Sequence, residues 1–344
     1  MTIKEYVKKY DPQNQFDVLV NTYKQVEYAW NNKIKLSSLE DSKFRNVIIS
    51  GLGGSAISAD LLLNFICDEQ KIPILVNRNY SLPPFANKNT LLIVSSYSGN
   101  TEETISVLNE GIKKKCKIVC ITTGGKIGEI AKQNKIPVVR LQEGFQPRYS
   151  LGLSFFSLLK VLQTLYLIDK QNTVVKKIIE IWKKSGKAYS AEGNTALEFA
   201  QKMIGYIPVI YSAADITYAV GYRLKCQFNE NSKLHAFHNV IPEMNHNEII
   251  GWESHLPKNI HAKIIYIKDN TYPPQIQKRF NICSELLASV GVEILELKSN
   301  EKNLKVRLLD LIFLGDWITY YTALLRGYDP SEIDNIYTLK KRLE

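Results

Sequence analysis

Short apolar runs alternate with segments of helical period through the first half of this chain. The apolar runs, rich in Val, Ile and Leu as buried strands are, lie at 47–50, 72–76, 91–95, 118–122 and 137–141. Helical patterns separate them at 55–67, 101–115 and 127–133. Because strands that alternate with helices form parallel sheets covered by helices, the pattern predicts an α/β fold.

The second half repeats this alternation after a strongly apolar helix predicted at 151–167. Its predicted strands lie at 209–212, 264–267 and 292–297, and its predicted helices lie at 218–229, 274–290 and 304–325, before a final helix in the tail. We therefore expect two diverged copies of one α/β unit. The predicted domains are a helical arm at 1–36, a first α/β domain at 37–170, a helical connection at 171–194 and a second α/β domain at 195–344.

Composition limits the class of protein. The chain has 344 residues, of which 45% are hydrophobic and 23% charged, as is usual for a globular protein of two domains. No apolar run approaches the ~20 residues needed to cross a bilayer, and the polar N-terminus lacks the core of a signal peptide. The five cysteines are scattered without a C-x-x-C pair, which indicates buried thiols in a reducing compartment. We expect a cytoplasmic protein with no membrane partner.

The formal net charge of +10 raises the question of nucleic-acid binding. The lysines, however, are spread in small clusters, and no helix-turn-helix, zinc-finger or RNA-binding motif accompanies them. We therefore expect solvated helix faces and no nucleic-acid partner. A mild positive field would help to attract an anionic substrate.

Two strand–turn–helix junctions in the first half have the composition of an anion-binding site. At 50–55, glycines allow a tight turn before Ser55 opens a helix. At 95–101, hydroxyl groups crowd a second turn, contributed by Ser95, Ser96, Ser98 and Thr101. Helix N-termini and neutral hydroxyl donors suit a phosphate ester. The first turn lacks a P-loop lysine and a strict G-x-G-x-x-G, which disfavours ATP and NAD.

Histidines and glutamates are concentrated in the second half, where residues 230–248 hold three of each. A metal site built from His235, His238 and His246 is one interpretation, but their spacing fits no common zinc pattern. Loop polarity without chemistry is a second interpretation. Acid/base catalysis by a carboxylate and an imidazole is the third. Combined with a phosphate-binding turn, the third interpretation favours aldose–ketose isomerisation through an enediol.

The polar turns and the His/Glu cluster belong to a series of short motifs that runs through the chain. The series is Gly53-Gly-Ser-Ala-Ile57, Ser96-Tyr-Ser-Gly-Asn-Thr-Glu-Glu103, Gln146-Pro-Arg148, Asn229-Glu-Asn231, Asn245-His-Asn-Glu-Ile-Ile-Gly-Trp252, Asp329-Pro330 and Leu339-Lys340. In content and order it resembles the bifunctional phosphoglucose/phosphomannose isomerase family of the SIS (sugar isomerase) superfamily. The resemblance implies two SIS-type domains, each a mostly parallel sheet flanked by helices in an α/β/α sandwich.

The resemblance also implies roles in interconverting glucose 6-phosphate and mannose 6-phosphate with fructose 6-phosphate. The positions that hold the phosphate and nearby sugar oxygens would be Gly54, Ser55, Ser96, Ser98 and Thr101. Arg148 would stabilise the enediolate, and Glu230 would move the proton between C2 and C1. His246, assisted by Lys340, would open the sugar ring, and both would contact the substrate, as would Arg148. In this superfamily the histidine commonly reaches into a neighbouring subunit's site, so a homodimer is implied, with no metal and no organic cofactor.

Alternatives stay open at the level of the sequence. A non-catalytic SIS-type phosphosugar-binding regulator would keep the hydroxyl turn without needing Glu230 and His246 together. An isomerase of another phosphosugar, such as an amino sugar, is the second alternative. Lys341 stands beside Lys340, and only the Leu-Lys register selects Lys340. His235 and His238 have no assigned role, and no motif sets the ratio of the two activities.

Overall fold

The computed structural model describes residues 1–40, 42–256 and 260–343. The chain divides into two compact units: the five-stranded unit is Thr22–Ile179, and the four-stranded unit combines Met1–Asn21 with Glu180–Glu344. The four-stranded unit begins with helices α1 (Ile3–Tyr10) and α2 (Gln15–Val20). The domain boundaries proposed from the sequence stay a prediction, and their last residue, 344, lies outside the described residues.

Parallel strands form the centre of the five-stranded unit. They are β1 (Asn46–Ser50), β2 (Ile74–Asn77), β3 (Thr90–Ser95), β4 (Lys117–Thr122) and β5 (Val138–Arg140), and they pair in the order β2-β1-β3-β4-β5. The helices are α3 (Thr22–Asn31), α4 (Ser37–Glu40), α5 (Gly53–Phe65), α6 (Glu102–Lys113), α7 (Gly125–Gln133) and α8 (Leu151–Thr164). Every residue of β3 is buried, and so is all of β1 except its first residue. Helices therefore cover both faces of these strands, as their continuous apolar runs predict.

Helices α5 and α8 pack against each other through aromatic and small side chains. Phe65 and Phe155 make an edge-to-face contact with their ring centroids 5.3 Å apart. The hydroxyl groups of Ser58 and Ser154 share a buried hydrogen bond of 2.7 Å in the same interface. This packing fixes the start of α5 at the edge of the sheet where β1 ends.

Parallel strands also form the centre of the four-stranded unit. They are β6 (Ile207–Ala213), β7 (Phe237–Ile241), β8 (Ala262–Lys268) and β9 (Ile294–Lys298), and they pair in the order β7-β6-β8-β9. The helices are α9 (Asn172–Tyr189), which begins in the five-stranded unit, α10 (Thr195–Met203), α11 (Tyr218–Glu230), α12 (Glu248–Gly251), α13 (Pro274–Ser289), α14 (Leu304–Arg326) and α15 (Asp334–Leu343). The order β7-β6-β8-β9 repeats the order β2-β1-β3-β4, as expected of two diverged copies.

Helix α14 is the core helix of the four-stranded unit. It contains an apolar stretch long enough to cross a membrane by composition, but 83% of that stretch is buried inside the structure. Asp316 in the middle of α14 pairs with Arg223 of α11 at 2.9 Å, and Trp182 of α9 donates a hydrogen bond to the Leu309 carbonyl at 3.0 Å. The apolar composition of α14 thus follows from its burial among other helices.

The predicted fold class is confirmed, and the predicted strands coincide with observed ones. Strand β7 and helix α10 were not predicted. Strand β7, Phe-His-Asn-Val-Ile, lies at an edge of its sheet, and only Ile241 is buried. Because an edge strand buries fewer side chains than a central strand, its sequence lacks the continuous apolar run by which the other strands were recognised.

Candidate active site

The turn between β1 and α5 lies at the edge of the five-stranded sheet where the strands end. Gly53 has a φ of +50°, a left-handed conformation that glycine adopts without strain. The N-cap residue Leu52 has no side-chain acceptor, so the first amides of α5 are not capped by it. A Cβ on Gly51 would lie 3.0 Å from the Ser95 carbonyl oxygen, so this turn runs beside the end of β3. Uncapped helix amides of this kind bind anions.

The turn between β3 and α6 is built from hydroxyl groups that bond within the turn. Ser96 Oγ lies 2.9 Å from Thr101 Oγ1 and accepts a hydrogen bond from the Gly99 N–H at 3.2 Å. Ser98 Oγ is more exposed and accepts from the Asn100 N–H at 3.3 Å. Although Thr101 is the N-cap of α6, its hydroxyl does not cap the helix. The turn therefore offers neutral donors beside uncapped helix amides.

A third turn, at 122–126, holds this hydroxyl turn in shape. Gly99 has a φ of +70°, and a Cβ there would lie 1.9 Å from the Gly124 carbonyl oxygen. Asn100 Oδ1 accepts a hydrogen bond from the Lys126 N–H at 3.0 Å. The two turns therefore touch backbone to backbone, which restricts the positions of the hydroxyl groups.

Arg148 lies in a short 3-10 helix, Pro147–Tyr149, that packs on the start of α5. A Cβ on Gly54 would lie 3.0 Å from the Pro147 carbonyl oxygen, so this approach favours glycine. Arg148 is only 5% exposed, and its guanidinium carbon lies 5.5 Å from the centroid of the Tyr149 ring. The structure thus brings Gly54, Ser55 and the Arg148 segment together, next to the hydroxyl turn.

Glu230 is the last residue of α11 in the four-stranded unit. Its carboxylate makes no hydrogen bond or ion pair with the residues that the structure describes. Lys233 Nζ donates to the carbonyl oxygens of Glu230 at 3.0 Å and Asn231 at 3.3 Å, and also to that of Asp329. Lys233 thereby satisfies the end of α11 and ties it to the turn that begins at Asp329.

His246 ends a 3-10 turn, Glu243–His246, that follows β7. The His246 side chain is exposed and forms no hydrogen bond within the described part of the chain. Its neighbours are held firmly: Met244 is fully buried, and Asn245 Nδ2 donates to Cys283 Sγ at 2.9 Å. The loop thus presents an imidazole outward from an anchored backbone.

Glu230 and His246 lie near opposite ends of the strands of the four-stranded sheet. Helix α11 begins just after β6 ends and runs back along the sheet. Its last residue, Glu230, therefore lies toward the end of the sheet where the strands begin. The Ala236 N–H donates to Asn229 Oδ1 at 3.2 Å, which places this end of α11 beside the start of β7. Strand β7 then advances about 17 Å before the loop that carries His246. A single copy of this sheet therefore keeps the two side chains apart.

Lys340 lies in the last turn of α15, a helix with no buried residue. Ile336 precedes it by four residues and Leu343 follows it by three, so Lys340 shares their face of the helix. Tyr337 and Leu343 are 55% and 66% exposed. Lys341 is displaced by about 100° around the helix axis from Lys340. The helical period thus places the Lys340 and Lys341 side chains on different faces of α15.

The other two histidines of the cluster lie near the start of β7, away from His246. His238 Nε2 is 2.8 Å from Ser212 Oγ, and His235 is exposed. Burial, reinforced by the Lys225 ammonium, lowers the pKa of His238 to about 4. A neutral, partly buried His238 bonded to Ser212 acts as a packing residue of the β6–β7 pair.

The four-stranded unit has a counterpart of the hydroxyl turn, between β8 and α13, with different chemistry. Asp269 follows β8 and binds the Arg307 guanidinium through two hydrogen bonds of 2.6 and 3.0 Å. The Arg307 and Asp269 side chains are 2% and 0% exposed. Burial by itself raises the pKa of the Asp269 carboxyl, but the hydrogen bonds from Arg307 and Thr271 lower it overall. A resident carboxylate thus takes the place of the hydroxyl groups in this turn.

Comparison with known proteins agrees with this arrangement. Residues 192–343 match the family model of the bacterial phospho-glucose isomerase C-terminal SIS domain. A bifunctional phosphoglucose/phosphomannose isomerase from Caldicellulosiruptor bescii is 36% identical over 335 residues, covering 95% of this chain and 98% of that one. The chain belongs to this family. A second member, from Aquifex aeolicus, is 34% identical over 330 residues, covering 94% of this chain and 98% of that one.

The fold of this family member is shared with solved structures of low identity. A hypothetical protein from Thermus thermophilus superimposes with a TM-score of 0.75 at 14% identity, covering 99% of this chain and 93% of that one. At this identity the similarity concerns the fold alone. The family predicted from the motifs is therefore confirmed, whereas the roles of the individual residues stay predictions.

Two polar residues near the predicted catalytic groups were not singled out from the sequence. Lys233 lies at the end of α11, and Glu248 lies two residues after His246. Lysine is common on exposed surfaces, so the sequence carried no signal for Lys233. Glu248 belongs to the His/Glu cluster and to the motif at 245–252, but the sequence assigned it no role. Their contacts in the folded chain distinguish both residues.

Proposed function

We propose that this protein is an aldose–ketose isomerase that interconverts glucose 6-phosphate and mannose 6-phosphate with fructose 6-phosphate. The observation that carries the proposal is the hydroxyl turn at Ser96–Thr101, next to the uncapped start of α5, in a chain of the isomerase family. Neutral hydroxyl and amide donors bind a phosphate ester without the cations of a nucleotide site. Gly54, Ser55, Ser96, Ser98 and Thr101 would hold the phosphate and nearby sugar oxygens.

Glu230 is proposed as the base of the reaction. Its carboxylate would take the C2 proton of the open-chain aldose, leaving a cis-enediolate, and return the proton to C1, while the proton of the O2 hydroxyl passes to O1, which gives the ketose. The Arg148 guanidinium would stabilise the negative charge of the enediolate. Glucose 6-phosphate and mannose 6-phosphate differ only at C2, so both give an enediolate that leads to fructose 6-phosphate. The residues named here need no metal or organic cofactor for these steps.

His246 and Lys340 are proposed to open the sugar ring by moving a proton between the ring oxygen and the anomeric hydroxyl. The imidazole is exposed on an anchored loop, as a group that acts on a ligand bound to another subunit needs to be. Lys340 rather than Lys341 is favoured because it shares a face with Ile336 and Leu343, which would be covered when the helix docks.

A homodimer is proposed because Glu230 and His246 lie near opposite ends of the strands of one sheet. A partner subunit that supplies His246 would complete the constellation. The four-stranded unit has exposed surface that supports an interface, since large apolar side chains are exposed on it, namely Phe237, Ile250, Leu256 and Ile260. Phe237 belongs to β7, an edge strand of its sheet. A cytoplasmic location also stays a proposal.

The deciding experiment is the formation of fructose 6-phosphate from glucose 6-phosphate and, separately, from mannose 6-phosphate, with a chelator present. Comparable turnover of both is expected. Turnover of glucose 6-phosphate alone would keep the mechanism and narrow the specificity. Binding without turnover of either sugar would identify a regulator, and turnover of glucosamine 6-phosphate instead would identify an amino-sugar isomerase.

A further inference from the structure

Glu248 forms the centre of a polar cluster that anchors the loop carrying His246. Tyr211 donates its hydroxyl hydrogen to Glu248 Oε1 at 2.5 Å, and Asn239 Nδ2 donates to Glu248 Oε2 at 2.6 Å. Trp252 Nε1 donates to the Tyr211 hydroxyl oxygen at 2.9 Å. One carboxylate therefore joins β6, β7 and the end of the loop. Charge-assisted hydrogen bonds of this length are among the stronger ones in proteins.

Each polar group of the cluster is held as either a hydrogen-bond donor or an acceptor. Tyr211 is fully buried, and burial together with the Glu248 carboxylate raises the pKa of its hydroxyl, so Tyr211 stays a donor. The Glu248 N–H in turn donates a hydrogen bond to Asn247 Oδ1 at 2.6 Å. The backbone between Asn247 and Trp252 is thereby held at several points within a short segment.

His246 is thus flanked by two anchors. Asn245 is bound on one side, where Arg279 Nη1 donates to its Oδ1 at 3.3 Å and its amide donates to Cys283. Glu248 is bound on the other side. Between them the imidazole projects outward and forms no hydrogen bond within the described residues. A loop restrained on both sides loses less conformational entropy when its histidine engages a ligand.

We infer that Glu248 is a positioning residue for His246: through Tyr211 and Asn239 it holds the loop so that the imidazole reaches the sugar ring. The inference rests on the proposed function and adds a residue to it. Glu248 does not touch the substrate in this account. Its removal would leave the chemical groups intact and misplace one of them, and misplacement by about 1 Å costs on the order of a hundredfold in rate.

The test is a double-mutant cycle on the full-length enzyme. Glu248→Ala is expected to lower kcat about 10- to 100-fold with KM changed less than about threefold. In the His246→Ala background the same substitution is expected to lower kcat less than about twofold, because its effect requires the imidazole. Glu253→Ala, which removes an exposed carboxylate from the following turn, is the matched control and is expected to leave kcat unchanged.

Tyr211→Phe protects the test against misfolding of the alanine variant. It removes one hydrogen bond at nearly constant volume and is expected to lower kcat about 3- to 10-fold, again only when His246 is present. Equal effects of Glu248→Ala with and without His246, or no effect in the wild-type background, would overturn the inference while the proposed function stands. Absence of isomerase activity in the wild type would overturn the proposed function, and the inference with it.

Discussion

At the residue scale, the Glu230 carboxylate is set apart by its lack of partners. The nearby cation, Lys233, binds backbone carbonyl oxygens and leaves the carboxylate to act on a ligand. A structural glutamate at this point would be expected to pair with that lysine. The arrangement therefore supports a chemical role for Glu230.

Glu230→Gln is expected to lower kcat by about three orders of magnitude, because the amide cannot carry the proton. The dissociation constant for fructose 6-phosphate should change less than about threefold, since the shape of the side chain is kept. Steady-state kinetics and calorimetric titration measure the two quantities. Glu253→Gln serves as the control, and a Glu230→Gln enzyme of normal turnover would remove Glu230 from the mechanism.

Lys340 and its neighbour Lys341 provide a comparison between adjacent residues. Lys340→Ala is expected to lower kcat about 10- to 100-fold, whereas Lys341→Ala should stay within about twofold of the wild type, because the two side chains face different directions. Turnover of both variants under identical conditions decides the matter. Equal losses would show that the helix contributes only general positive charge.

At the scale of elements, the contact between the hydroxyl turn and the turn at 122–126 depends on Gly99. An alanine there would be strained at a φ of +70° and would press its Cβ against the Gly124 carbonyl oxygen. The substitution should also disturb the arrangement of the Ser96 and Thr101 hydroxyl groups, because the Gly99 N–H donates a hydrogen bond to Ser96 Oγ. Stability and the proposed phosphate binding would therefore be coupled at this residue.

Gly99→Ala is expected to lower the free energy of unfolding by at least about 2 kcal/mol and to weaken fructose 6-phosphate binding at least tenfold. Gly128→Ala, in α7, is the matched control. A Cβ there meets nothing within 4 Å, so this substitution should stabilise the protein by about 0.5–1 kcal/mol. Denaturant unfolding and calorimetry measure both effects, and normal binding by Gly99→Ala would exclude the turn from the phosphate site.

At the scale of the whole molecule, the partly buried His238 links stability to pH. Its pKa in the folded protein is about 4, whereas an unfolded histidine titrates near about 6.5. Between these values the unfolded chain binds more protons, so stability falls as the pH falls. Above about pH 6.5 the contribution of His238 to stability is fully present.

His238→Gln is expected to reduce the loss of unfolding free energy between pH 7 and pH 5 by about 1–2 kcal/mol. His235→Gln, at an exposed position on the same segment, should leave the pH dependence unchanged. Urea unfolding at both pH values measures the difference. An unaltered slope in His238→Gln would mean that His238 protonates equally in both states.

The proposed exchange of His246 between subunits makes a prediction about mixtures. Glu230→Gln and His246→Ala should each be nearly inactive, but a mixed dimer would hold one site with an intact Glu230 and an intact His246 from its partner. Random reassortment of equal amounts should therefore restore about a quarter of wild-type activity. Activity measured after unfolding and refolding the mixture tests this, and no recovery would place both groups in one subunit's site.

The sequence alone determined the fold class, the family and most elements, because these depend on local pattern. Continuous apolar runs predict central strands, glycine and hydroxyl turns predict an anion site, and short motifs in a fixed order carry the resemblance. The edge strand β7 was missed because its burial is partial, and partial burial leaves a weak pattern.

Tertiary structure alone decided which polar side chains serve the loops and which are left for a ligand. Lys233 caps α11, Glu248 anchors the His246 loop, and Asp269 forms a buried ion pair with Arg307, although the sequence assigned none of these residues its contact. The separation of Glu230 from His246 became apparent only in the folded sheet. The two residues are sixteen positions apart in the sequence, and this spacing does not reveal that the end of α11 and strand β7 place them near opposite ends of the strands. Such distinctions depend on contacts between distant segments, which local periodicity does not encode.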